Sequence, residues 1–375
     1  MIERTLEQRI KEKLGTGKVI ILLGARQTGK TTLLNKMFGD SNDILWLNGD
    51  DPEHKSQFYK ASSEKLKNII GGRKTVIIDE AQKFDDIGIA LKLIVDNIKG
   101  VQVIATGSSS FELANRLNEP LTGRKWEYRI FPVSLAELSR HNGYLQERSL
   151  LKQRLIFGQY PEIINNPGNE RELLNTLVDS YLYKDLLIWG NLQKADSIVK
   201  LLQALAFQVG NEVSYSELGK IIEADKKTVE KYIHLLEECF IIFRLGAFSR
   251  NLRKELSRSK KIYFYDNGVR NALISNFSPA DIRQDIGALW ENFMISERIK
   301  HTHYNKIYGS RYFWRTYSQQ EIDYLEESDG EISAYEFKWS KLSKKKIPDT
   351  FINEYNVNKA EIITPENYDE FAGML

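Results

Sequence analysis

An α/β chain built on a parallel sheet is predicted by three observations. The apolar run Val19-Ile20-Ile21-Leu22-Leu23 meets Gly24-Ala25-Arg26-Gln27-Thr28-Gly29-Lys30-Thr31 and then a helical opening at Thr32-Leu33-Leu34. The β-branched run Thr75-Val76-Ile77-Ile78 ends in two carboxylates, Asp79-Glu80. A third strand, Val101 to Thr106, runs into Gly107-Ser108-Ser109-Ser110.

Each element carries chemistry. G-x-x-x-x-G-K-[ST] between a strand and a helix is a phosphate-binding loop. Its backbone N–H groups point inward and hold phosphate oxygens with help from the helix N-terminus. Residues Gly24, Ala25, Arg26, Gln27, Thr28, Gly29, Lys30, Thr31 and Thr32 are therefore the candidate nucleotide contacts. Lys30 reaches the β- and γ-phosphates, and Thr31 ligates Mg²⁺ through its hydroxyl. Gly24 and Gly29 keep Cβ atoms away from the nucleotide. At the second strand's end, Asp79 is the candidate Mg²⁺ ligand, and Glu80 is the candidate base that orients and deprotonates a water. At the third, Thr106 or Ser108 is placed to hydrogen-bond the γ-phosphate or that water. Arg124, in Leu121-Thr122-Gly123-Arg124, is a candidate for balancing charge on a transferred phosphoryl group, in its own subunit or a neighbour's.

Composition sets limits. The chain has 375 residues, enough for two or three domains, with 42% hydrophobic residues and a net charge of +2. A nucleic-acid site must then be a local patch and not a global basic field. The single cysteine, Cys239, sits in an apolar stretch and is expected to be buried; it excludes a disulfide framework or a cysteine-rich zinc site. His301 and His303 lie close together but make a poor metal site by themselves. The charged start at Met1-Ile2-Glu3-Arg4 does not read as a secretion signal. No apolar run approaches the roughly 20 residues of a membrane helix. A cytoplasmic location without membrane contact is the expectation.

Together these pieces resemble the AAA+ ATPases, and within them the archaeal and bacterial branch whose C-terminal half is a domain of unknown function. The resemblance is carried by residues 24–31, by Asp79-Glu80-Ala81-Gln82, by Thr106-Gly107-Ser108-Ser109 and by Gly123-Arg124. Phe131-Pro132-Val133-Ser134 and Gly158-Gln159-Tyr160-Pro161-Glu162 add to it. Gln159 stands where the family usually has a second Gly. The likeness extends to about residue 340 and implies a P-loop NTPase core with ATP and Mg²⁺ as its cofactors.

Beyond the core the pattern changes at Phe131-Pro132. The expected organisation is an ATPase core over 1–135, a helical lid over 136–194, a winged helix over 195–265 and a C-terminal α/β domain over 266–375. Such lids move with nucleotide state. Tyr181, Tyr183 and Trp189 read as packing residues. In the winged helix, helices are expected over 198–206, from Ser214 or Ser216 as cap, and over 226–236. The third has the apolar face Val229, Ile233 and Leu236 and offers Lys226, Lys227, Thr228 and Lys231 to solvent. That end of the helix meets DNA in helix-turn-helix proteins. The hairpin from Ile241 to Tyr263 carries Arg244, Arg250, Arg253, Lys254, Arg258, Lys260 and Lys261 as a candidate phosphate-contacting patch.

The last third holds a second constellation. Trp290-Glu291-Asn292-Phe293 opens an amphipathic helix. Strands are expected over 311–317, 321–326 and 332–338, with a turn at Ser328-Asp329-Gly330. The two-residue strand period puts Glu336 and Lys338 on one face, with Asp323 on the neighbouring strand. Two carboxylates hold Mg²⁺, a lysine two residues on positions or activates water, and Glu291 completes the site. This order resembles the restriction-endonuclease-like fold. The resemblance implies Asp323, Glu336 and Glu291 as metal carboxylates and Lys338 as the catalytic lysine. Downstream, Lys341, Lys344, Lys345 and Lys346 are basic.

The sequence thus predicts an ATP-hydrolysing protein with a DNA-binding winged helix and a nuclease-like C-terminal domain. The alternative is a nucleotide switch acting on protein partners, its nuclease fold an inert scaffold. A third reading is a mobile-element or defence nuclease licensed by ATP. Homo-oligomer formation, as a ring or otherwise, stays open, as does the nucleic-acid target.

Overall fold

The computed structural model describes residues 1–39, 41–108, 121–179, 195–249, 260–316, 320–340, 346–355 and 357–375. These form two compact units, one of residues 3–131 with 238–240, the other essentially of residues 132–237 and 241–375.

The first unit is a five-stranded sheet, β1 (Val19–Leu23), β2 (Ile44–Asn48), β3 (Thr75–Asp79), β4 (Gln102–Gly107) and β5 (Lys125–Arg129). The order is β2-β3-β4-β1-β5, and every described pairing is parallel. Parallel strands need crossovers, and α1 (Leu6–Lys11) to α5 (Ile87–Asn97) supply the helices of the layer around them: α2 (Lys30–Phe38), α3 (Pro52–Phe58) and α4 (Ser63–Ile70) lie between. Coverage of both faces explains why all five residues of β1 are buried and why its sequence is unbroken apolar. Helix entries are capped as the sequence directs. Asp51 accepts from the N–H of Glu53, and Ser62 from that of Lys65.

The second unit begins with helices α6 (Leu135–Asn142), α7 (Tyr144–Ser149), α8 (Leu151–Phe157), α9 (Pro161–Asn165) and α10 (Glu170–Leu177). Ser134 and Glu137 form a reciprocal capping box on α6. Then come α11 (Ala195–Phe207), β6 (Glu212–Val213), α12 (Tyr215–Ile222), α13 (Lys226–Glu238), β7 (Ile242–Ala247) and β8 (Lys260–Phe264). Ser214, not Ser216, caps α12, accepting from the N–H of Glu217. Val229, Ile233 and Leu236 are buried on α13, while Lys226, Lys227 and Lys231 are exposed.

After α14 (Asn267–Leu273) and α15 (Ile286–Tyr304), the strands β9 (Ser310–Arg315), β10 (Glu321–Ser328) and β11 (Glu331–Phe337) form an antiparallel meander. Asp329 and Gly330 both have positive φ, +53° and +83°, as a two-residue hairpin turn requires. A helix, α16 (Asp349–Tyr355), then leads to β12 (Val357–Ile363), parallel to β11; α17 (Tyr368–Phe371) ends the chain.

The strands of residues 212–264 and 310–363 make one seven-stranded sheet, β12-β11-β10-β9-β7-β8-β6. Its junction is a parallel pairing of β7 and β9, Gly246 opposite Tyr312 and Ala247 opposite Phe313.

Helix α15 departs from the amphipathic expectation. It is buried on most sides, and its interior polar groups are paired. Glu297 and Lys300 are 2.6 Å apart with no solvent exposure, Glu297 accepts from the N–H of Leu135, and Lys300 donates to the side chain of Gln159. A buried ion pair persists only when its remaining hydrogen-bonding capacity is met in this way.

Phe351 anchors the far end of this sheet, fully buried against Trp314, Tyr355 and Phe248 with ring centroids at 4.7, 4.7 and 6.2 Å. Phe351→Ala is expected to cost about 3–5 kcal/mol. Urea unfolding followed by tryptophan fluorescence measures this, since Trp314 lies in the same cluster.

Candidate functional site

The phosphate loop follows β1 directly. Gly24 is required by packing: a Cβ there would lie 2.2 Å from the carbonyl oxygen of Ile130. Gly29 is required by conformation, with φ at +94° immediately before α2. Within the loop, the Thr28 hydroxyl donates to the Ala25 carbonyl at 2.8 Å. Lys30 is buried, and its ammonium donates to the carbonyls of Gly24 (2.7 Å) and Ala25 (2.8 Å). The cation thus lies folded over the loop's own cradle. Arg26 is half-buried, and Gln27, Thr31 and Thr32 are exposed.

Register brings the other groups to the same sheet end. Leu22 is opposite Thr106 and Leu23 opposite Gly107 on β4, while Ile78 of β3 is opposite Ala105. Asp79 and Glu80 therefore emerge beside Thr106 and Ser108. The Thr31 hydroxyl donates to one Asp79 oxygen at 2.9 Å, and the Thr106 hydroxyl donates to the other. Thr106 also accepts from the N–H of Glu80 at 3.1 Å. Glu80 has a left-handed backbone (φ +50°, ψ +47°), a conformation that costs a non-glycine residue on the order of 1 kcal/mol. Its Oε2 accepts from Gln82 (2.6 Å) and from Ser108 (3.1 Å). Thr106 thus serves Asp79, and Ser108 serves Glu80.

The structure separates Arg124 from this cluster. Val19, at the start of β1, donates its N–H to the Arg124 carbonyl, while the phosphate loop leaves the other end of that strand. Four residues at about 3.3 Å each divide them. Arg124 pairs with Asp96 at 2.8 Å and holds that carboxyl below its usual range. A role for Arg124 within its own subunit's loop is thereby corrected. Arg129, opposite Leu23, is the arginine of β5 at the phosphate-loop end.

Two supporting residues carried no assigned role in the sequence. Arg4 is buried and donates to the carbonyls of Thr28 and Phe131, both at 2.6 Å, so it braces the loop from the N-terminal segment. Nothing in its sequence setting signals this. Gln82 was visible only as part of the Asp-Glu-Ala-Gln run.

Thr31 and Asp79 are hard oxygen donors side by side, which suits Mg²⁺. Mg²⁺ is ordinarily held by one or two carboxylates together with substrate phosphates and waters. An all-protein cage is not needed. Among the described residues no group of three or more His, Cys, Asp or Glu side chains is placed to hold a metal ion.

The expected C-terminal constellation lies among the described residues. Asp323, Glu336 and Lys338 do come together: Lys338 lies 2.8 Å from Glu336 and 3.5 Å from Asp323, and the N–H of Phe337 donates to Asp323. Glu291 instead accepts from the Tyr263 hydroxyl (2.6 Å) and from Lys261 (3.2 Å), and Lys261 also pairs with Glu321 at 2.6 Å. Burial pushes the Glu291 carboxyl up to about 7, with Lys261 opposing and Asp323 adding. The ammonium groups of Lys261 and Lys338 stand among these carboxylates.

The basic hairpin is also corrected where it is described. Lys261 is 2% exposed and Arg244 is paired with Glu237, so neither is offered to a phosphate backbone. Arg250, Arg253, Lys254 and Arg258 lie outside the described residues, as do Ser109, Ser110, Tyr181, Tyr183, Trp189, Tyr317, Lys341, Lys344 and Lys345. Cys239 is buried. No helix among the described residues is long and apolar enough to cross a membrane.

Residues 16–139 match the family described as an AAA domain. Residues 148–280 and 286–371 match two domains of unknown function, DUF8612 and DUF4143. Uncharacterized protein Rv2008c of Mycobacterium tuberculosis is 25% identical over 340 residues, covering 89% of this chain and 73% of its own length. Uncharacterized protein MJ1544 of Methanocaldococcus jannaschii is 25% identical over 318 residues, 78% of this chain and 69% of that one. Among solved structures, the Walker-type ATPase paby2304 of Pyrococcus abyssi is similar in fold. Its TM-score is 0.52 and its identity 17%, over 73% of this chain and 96% of that one. Residues 16–139 are thus similar to an AAA domain, and the fold, with its α/β parallel sheet, is similar to that of the Pyrococcus abyssi protein.

Arg4→Ala is expected to weaken ATP binding by about 10-fold, the loss of a charged hydrogen-bond pair. Arg124→Ala is expected to leave affinity within about 2-fold, as for substitutions away from a site. Calorimetric titration with ATP reads both.

Proposed function

We propose that the protein binds ATP with Mg²⁺ in the loop at residues 24–31 and hydrolyses it by in-line attack of water. The observation that carries this reading is the hydrogen bond between Thr31 and Asp79 beside a loop already closed over the Lys30 ammonium. On nucleotide binding, Lys30 exchanges the Gly24 and Ala25 carbonyls for phosphate oxygens. Thr31 and Asp79 would hold Mg²⁺, which supplies charge neutralisation at the phosphates. Gln82 and Ser108 fix one oxygen of Glu80, leaving the other to take the water's proton. Glu80 sits on a strained backbone, so its direction is set before substrate arrives.

The exposed Lys226, Lys227 and Lys231 at the start of α13 would contact DNA. The order α11-β6-α12-α13-β7-β8, with β8 antiparallel to both β6 and β7, supports a winged-helix reading. The sequence α15, a three-stranded meander, α16 and a parallel β12 supports a restriction-endonuclease-like reading of the C-terminal part. ATP turnover would then govern what this second unit binds.

A second reading is favoured by the pairing of Lys261 and Lys338 with the C-terminal carboxylates. In it the nuclease-like part is a silent scaffold, and the protein is a nucleotide switch acting on partners. We derive no cleavage step from a cluster so neutralised.

Lys30→Ala is expected to abolish ATP binding and turnover; retained phosphate release would refute the core assignment. Glu80→Gln should keep ATP affinity and lose roughly 10²–10⁴-fold in kcat, the usual worth of a general base. Charge reversal at Lys226, Lys227 and Lys231 should lower duplex-DNA affinity at least about 10-fold and flatten its salt dependence. Fluorescence anisotropy reads this, and unchanged binding would favour the protein-partner reading.

A further inference from the structure

The C-terminal cluster contains four carboxylates, Glu291, Glu321, Asp323 and Glu336, and two ammonium groups. The ammonium groups divide the carboxylates between them. Lys338 takes Glu336 and Asp323, at 2.8 and 3.5 Å. Lys261 takes Glu321 and Glu291, at 2.6 and 3.2 Å. Lys338 belongs to the Glu-x-Lys run and was expected there. Lys261 comes from β8, outside the helix and two strands that supply the carboxylates.

We infer that Lys261 is a built-in counter-ion that takes the place of a divalent cation, so that this cluster binds no Mg²⁺ or Mn²⁺. The inference rests on the second reading above, the silent scaffold, and gives its physical cause.

Three observations carry it. The Lys261 side chain is 2% exposed, so water does not solvate its charge and the carboxylates must. The ammonium is anchored from below, 5.4 Å from the centroid of the Phe313 ring. Tyr263, two residues on and on the same face of β8, donates its hydroxyl to the Glu291 oxygen that Lys261 also contacts. One strand thus commits two donors to that carboxylate. The ammonium so held repels a second cation. Mg²⁺ demands near-octahedral oxygen ligands, and Glu291 Oε1 and Asp323 Oδ2 are turned toward N–H and O–H donors.

The test is Mn²⁺ binding to the full, nucleotide-free chain, read from the electron paramagnetic resonance signal of free Mn²⁺. Wild type and Asp323→Asn are expected to bind Mn²⁺ identically. Lys261→Met is expected to gain one site at least about 10-fold tighter, the scale of a removed charge contact. Combining it with Asp323→Asn should remove that site again. A wild-type site lost on Asp323→Asn overturns the inference, and so does the absence of a gained site in folded Lys261→Met. Should Lys261→Met fail to fold, the wild-type and Asp323→Asn comparison decides alone. DNA cleavage by wild type with Mn²⁺, lost on Glu336→Ala, would overturn the silent-scaffold reading itself. Mn²⁺ binding without cleavage overturns only the role of Lys261.

Discussion

The register of three parallel strands is the constraint on which the N-terminal site depends. β1, β4 and β3 are hydrogen-bonded so that their C-terminal ends fall level. That alignment alone brings a glycine-rich turn, a threonine–serine pair and two carboxylates from distant parts of the chain within hydrogen-bonding distance. Slippage by one residue would turn Asp79 or Thr106 to the opposite face of the sheet. The buried apolar residues of these strands hold the register, so the chemistry of the site is paid for by packing that never touches a ligand.

Much of this was legible beforehand because the informative signals are local. A strand, a Gly-x-x-x-x-Gly-Lys-Thr turn and a helix are contiguous, and Asp79-Glu80 ends a strand that sequence alone marks as buried. The C-terminal meander was also readable, since its strand runs and the Asp-Gly turn are short-range features. What escaped was set by distant neighbours. Arg124 carries a suggestive context, yet which end of β1 it lies beside depends on how β5 pairs with β1. Arg4 finds its partners, Thr28 and Phe131, only after the sheet has formed.

Charge was the least readable property. Lys261 and Arg244 count as basic residues in any composition argument, but the fold turns one into a buried ion-pair partner and engages the other with Glu237. Lys300 is likewise buried in a helix that sequence presented as amphipathic. A lysine's meaning depends on which carboxylates the topology delivers to it. Where tertiary structure buries a long cationic side chain, local patterning offers no warning.

The junction of β7 with β9 has a practical consequence for dissecting the molecule. The helices and hairpin of residues 195–264 look like a separable module by element order, but one edge of that hairpin is covered by a strand from residues 310–315. Excising the module would strip this cover and leave main-chain donors and acceptors of Gly246 and Ala247 open to other chains, an invitation to aggregate. Fragments for biochemical work should therefore be cut outside residues 195–363, keeping the seven strands on one polypeptide.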